Sequence, residues 1–88
     1  MKLILENMES FHGTALEIIQ QMKGSAMFAD NKSIREYMDM VMKNAKVHHD
    51  AEFEIRGKTD EDLARSLVFQ IVEHKLGMLI DESMDDAK

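Results

Sequence analysis

At 88 residues the chain fits one domain with a modest core, and with no cysteine it has no disulfides, thiolate metal sites or cysteine nucleophiles. Its formal charge of −6 sits mostly in the last third, since residues 1–23 and 30–57 carry −1 each and residues 58–88 carry −4. That balance lacks the clustered Lys and Arg of a nucleic-acid or anionic-membrane surface; no run approaches the roughly 20 apolar residues of a membrane span, and the absence of cysteine fits a reducing, cytoplasmic setting.

Ile4, Met8, Phe11, Ala15, Ile18 and Met22 recur every three or four residues. That step keeps them on one side of a helix and predicts helix one over residues 2–23. The apolar run at Met1–Leu5 is too short for a signal peptide and is assigned to the first turn of this helix. Gly13 falls inside it and weakens it by about 1 kcal/mol relative to Ala. Gly24 supplies the left-handed residue that ends it. In the following connection Met27 and Phe28 are expected to fold back onto the core.

Ser33-Ile34-Arg35-Glu36 reads as a capping box, with Asp30 and Asn31 as rival caps. Ile34, Met38, Val41 and Ala45 carry the stripe of helix two. Beyond it Ala51, Phe53 and Ile55 alternate as in a strand. No partner strand is evident, and a lone strand is unstable. Ile34, Val41, His48 and Ile55 also fall seven apart, so helix two is extended over residues 33–56 with Gly57 as its stop. Thr59 caps helix three, and Asp60, Glu61 and Asp62 lie over its positive end. Helix three is expected over residues 60–81, followed by an acidic tail, 82–88. Its two apolar rows, one through Ala64, Leu67 and Ile71 and one through Phe69, Leu76 and Ile80, need more than one neighbour. The expected architecture is an all-α three-helix bundle assembled as a homodimer.

Four constellations bear on function. Glu9 with His12, and His48 with Glu52, have helical metal-ligand spacing, and with His49 and His74 they are the only candidates for a bundle metal site. Glu6-x-x-Glu9 and Glu36-x-x-Asp39 place paired carboxylates on two helices. On those four residues the arrangement is similar to the acidic signature of the MazG-like all-α pyrophosphohydrolases, which implies magnesium-dependent release of pyrophosphate from a nucleotide. A helical DNA-associated regulator would have to build its basic patch from Lys32, Arg35, Lys43 and Lys46. Finally, the chain has nine methionines, and Met38-Asp39-Met40-Val41-Met42 cannot all face one core.

The favoured reading is a small, acidic, methionine-rich interaction protein, a regulator, adaptor or inhibitor without catalytic residue, metal or cofactor. Its expected partner surface comprises Tyr37, Met40, Val47 and Phe69, with Asp85 and Asp86 steering a basic partner.

Overall fold

The computed structural model describes residues 1–26 and 31–80. It is a mixed α and β domain, which corrects the all-α bundle. The order is β1 (Lys2–Leu5), β2 (Ser10–His12), α1 (Ala15–Ser25), α2 (Ile34–His49), α3 (Asp60–Glu73) and β3 (Gly77–Ile80). The strands form one antiparallel sheet in the order β2-β1-β3. Leu3 of β1 lies opposite Phe11 on one side and Leu79 on the other.

The first correction concerns residues 2–12, expected as the opening of helix one. Leu3 is fully buried while its neighbours are only partly so, a pleated alternation rather than a helical stripe. The turn is built locally: Met8 adopts φ 71°, its N–H donates to the Leu5 carbonyl at 3.0 Å, and the Leu5 N–H donates to the Glu9 carbonyl at 2.8 Å. Asn7 clamps it, with Oδ1 accepting from the Glu9 N–H at 3.1 Å and Nδ2 donating to the Glu9 carboxylate at 2.6 Å. Gly13, at φ 129°, then breaks the chain ahead of Thr14, which caps α1.

The second correction concerns residues 51–56. Helix two ends at His49, where Asp50 takes the left-handed conformation at φ 51°. The chain then runs extended, with Ala51 buried, Phe53 and Ile55 half-buried, and Glu52, Glu54 and Arg56 exposed. The segment needs no strand partner because α3 serves its backbone. The Glu54 N–H donates to Gln70 Oε1 at 3.2 Å and the Arg56 N–H donates to Ser66 Oγ at 3.1 Å.

The third correction concerns the end of helix three, expected at residue 81 but reached at Glu73. Lys75, at φ 62°, donates its N–H to the Val72 carbonyl, and Leu76 donates to Ile71, the two bonds of a Schellman stop. The chain reverses and β3 pairs with β1. The expected pairings of Met27, Phe28 and Asp30, and the tail 82–88, lie outside the described residues.

The helices pack on one face of the sheet. Leu3 and Phe11 from the strands meet Ile18, Ile19 and Met22 of α1, Tyr37 and Met38 of α2, and Ala64, Leu67, Val68 and Ile71 of α3 in one core. The helix starts are tied together by polar contacts. Arg35 reaches Asp60 at 2.6 Å and the Lys58 carbonyl at 3.1 Å, and Glu61 accepts from the Leu16 N–H at 3.2 Å. Among the described residues no helix is long and apolar enough to cross a membrane.

Candidate functional site

The helical step of α2 sets Tyr37, Met40, Val41, Asn44 and His48 along one side. The β1–β2 turn, the end of α1, Phe53 of the extended segment and the turn after α3 close in on that side. Together they enclose a groove of about 450 Å³. Leu5, Met22, Met40, Phe53 and Leu76 give it apolar walls, and Glu6, Asn7, Asn44, His48 and His49 supply its polar lining. Phe53 is held in place by the His74 ring, with centroids 5.0 Å apart and planes tilted by 37°.

Tyr37 is the polar group that distinguishes this groove. Its side chain belongs to the core, at 5% exposure. Its hydroxyl makes no hydrogen bond among the described residues, yet the oxygen is not sealed from water. Burial, and secondarily the Glu9 carboxylate, push the phenol above its ordinary pKa of 10.0, so it keeps its proton and is a donor.

The residues expected to meet a partner separate in space. Tyr37 and Met40 come together in the groove. Tyr37 is buried where exposure was expected, because the α2 stripe rotates its ring into the core beside Met38. Val47 is 76% exposed elsewhere on α2, and Phe69 is 51% exposed on α3, beside Arg56 and Arg65 in a different hollow. Asp85 and Asp86 lie outside the described residues. The groove is not visible as a unit in the sequence, because Leu5, Phe53 and Leu76 reach it through a hairpin, an extended segment and a turn that the apolar spacing assigns to helices.

The other constellations are also rearranged. Glu6 and Glu9 lie in the β1–β2 turn, so they do not form the helical carboxylate pair that, with Glu36 and Asp39, suggested a pyrophosphohydrolase. Glu9 and His12 no longer share a helix face. Glu52 lies beyond the end of α2 and pairs with Lys46 at 2.8 Å instead of standing one turn from His48. Among the described residues no three His, Asp or Glu side chains converge as metal ligands. Of the four cations considered for DNA, Arg35 is engaged by Asp60 at 2.6 Å, Lys43 by Asp39 at 3.0 Å, and Lys46 by Glu52.

Comparison with protein-family models, curated proteins and solved structures finds no significant match.

Proposed function

We propose that the chain is a non-catalytic binding module that holds an apolar element of a protein partner in the groove between α2 and the β1–β2 turn. The observation that carries this reading is the groove itself, whose apolar walls from Leu5, Met22, Met40, Phe53 and Leu76 meet the ring of Tyr37, a protonated donor among the lining residues. The volume of about 450 Å³ matches a few bulky side chains. Among the described residues no Lys or Arg lines the groove, while Glu6 does. An anionic ligand such as a nucleotide therefore finds no counter-charge, and a neutral or basic segment is favoured, in keeping with the net charge of −6. Bulky apolar residues supply the anchors and a backbone carbonyl accepts from Tyr37.

The test is selection of a random peptide library displayed on phage against the full chain, followed by NMR titration of the enriched peptides. The peptides are expected to carry bulky apolar residues and to shift the amides of Tyr37, Met40 and Phe53. Met40→Glu should weaken binding by about 30-fold or more, as for a central anchor contact. Tyr37→Phe should weaken it by about 3- to 10-fold, the worth of one hydrogen bond. Val47→Glu should leave it unchanged. Absence of enrichment, or shifts centred on Val47 or Phe69, would overturn the proposal.

A further inference from the structure

The two edges of the sheet are treated differently. Backbone N–H and C=O groups alternate sides along a strand. In β1 the Leu5 N–H bonds to Glu9, and Met1 exchanges both of its backbone bonds with Gly13. Odd positions of β1 therefore face β2, and Lys2 and Ile4 face Ile80 and Met78 of β3. The same parity leaves Ser10 and His12 turned to the outer edge of β2, and Gly77 and Leu79 turned to the outer edge of β3.

The β2 edge is closed. Gln21 of α1 lies along it as a substitute strand: Nε2 donates to the His12 carbonyl at 2.7 Å and Oε1 accepts from the His12 N–H at 3.4 Å. The edge is also short, and Ser10 and His12 are polar. The β3 edge has none of this. Among the described residues no side chain bonds its backbone. Its sequence, Gly77-Met78-Leu79-Ile80, has no charge, no proline and no bulge, the devices that normally blunt an exposed edge. Met78 is 62% exposed and Ile80 is exposed beside it on the sheet face away from the helices.

We propose that β3 pairs antiparallel with β3 of a second copy of this chain, about a two-fold axis at Leu79. This register follows from parity. Leu79 faces the open edge, so two copies exchange N–H···O=C bonds between their Leu79 residues. Met78 then stands opposite Ile80 of the second copy, on the same face, as continuous pleating requires. The product is a six-stranded sheet in which both remaining edges are the closed β2 edges. The four central outward side chains are the two Met78 and two Ile80, extended on either side by Ile4.

A second copy is favoured as the occupant because of charge. Two chains of −6 repel. Among the described residues the outward sheet face, made of Lys2, Ile4, Ser10, His12, Met78 and Ile80, contains no carboxylate, so in this register no acidic side chain of that face is set against its own image across the two-fold axis. The contact is small, and the dimer should form reversibly as concentration rises.

Two measurements on the full chain test this. Light scattering across about 10 µM to about 1 mM should show the mass rise from 10.1 kDa toward twice that value. Met78→Lys, a change at an exposed site, should raise the dissociation constant by about tenfold or more with an unchanged circular dichroism spectrum. Met8→Lys in the β1–β2 turn should leave it unaltered. Amide exchange gives an independent readout: the Leu79 amide should become protected as concentration rises, while the Met78 amide, already bonded to β1, should not change. A monomer throughout, or a dimer that ignores Met78→Lys and leaves the Leu79 amide unprotected, would overturn the proposal. Neither result bears on the groove, whose lining includes none of Gly77–Ile80.

Discussion

Residues 1–12 and residues 15–25 share one sequence rhythm and adopt opposite structures. Ile4, Met8 and Phe11 step by four and three, and so do Ala15, Ile18 and Met22. The first set becomes a hairpin and the second a helix. In the helix the rhythm reports a buried face, with Ala15, Ile18 and Met22 all in the core. In the hairpin it does not mark one buried face: Phe11 is buried, but Ile4 is only half-buried. The buried position of β1 is Leu3, off the stripe, while Met8, on it, is 81% exposed at the turn. A three-residue step is diagnostic only when local signals permit a helix. Here Asn7, Met8 and Gly13 permit turns instead.

The sharpest way to break this comparison is to truncate both candidate faces. Leu3→Ala removes a fully buried side chain from the central strand, where the sheet and helices meet, and should cost about 2–5 kcal/mol. Met8→Ala should stay within about 0.5 kcal/mol of the parent. Urea unfolding of the two variants decides. Equal losses would mean that residues 1–12 bury a helical stripe after all.

The glycines give the next contrast, with opposite signs. A reading of one helix across residues 2–23 makes Gly13 a weak spot and Gly24 a required stop. The structure reverses both roles. Gly13 sits at φ 129°, and a Cβ there would lie 2.9 Å from Glu17 Oε1 and 3.1 Å from Glu17 Cβ. Gly24 is inside α1, and a Cβ there would meet nothing within 4 Å. Gly13→Ala should therefore destabilise by about 1–3 kcal/mol, and Gly24→Ala should stabilise by about 0.5–1 kcal/mol. Thermal unfolding of the pair tests this. A stabilising Gly13→Ala would restore the continuous helix.

These reversals show where the sequence was legible. Starts were readable: Ser33 with Glu36 and Thr59 with its acidic first turn cap α2 and α3 as their chemistry predicts. Stops were less so: Gly57 marks the wrong end for α2, and the apolar spacing carries α3 past its true end at Glu73. The left-handed positions that end α2 and begin the turn after α3 belong to Asp50, which favours that region only weakly, and Lys75, which carries no such signal. Each missed stop concealed an extended segment, 51–56 in one case and β3 in the other. Since β3 is the strand that pairs with the open side of β1, the helical spacing of residues 76–80 also hides the pairing of residues 2–5. Two of the expected partner residues, Tyr37 and Met40, do meet in the groove. The rest of its wall comes from segments whose direction depends on those stops. Thr14-Ala15-Leu16-Glu17 carries the same pattern as Ser33 to Glu36 and marks the true start of α1.

That overlooked cap yields the smallest predicted effect and the most local one. The Thr14 hydroxyl accepts from the Glu17 N–H at 3.2 Å, and the Glu17 carboxylate accepts from the Thr14 N–H at 2.9 Å. The Thr14 backbone N–H, and after it the Thr14 side chain, hydrogen-bond the Glu17 carboxylate and hold its pKa below its ordinary 4.5, against a smaller opposing effect of desolvation. A carboxylate whose pKa is lower in the folded chain adds its stability above the unfolded value. That contribution disappears as pH falls through the lowered folded value. Stability measured by urea unfolding should therefore fall slightly on acidification below about pH 4.5. Glu17→Gln should lose part of that dependence, since the amide oxygen still accepts from Thr14 but does not titrate. Glu36, lowered in the same way by Ser33, serves as the internal reference in α2. Carboxyl-carbon NMR titration should place both residues below 4.5. A Glu17 that titrates at the ordinary value beside a lowered Glu36 would show that α1 does not begin at Thr14, and the boundary between hairpin and helix would have to move.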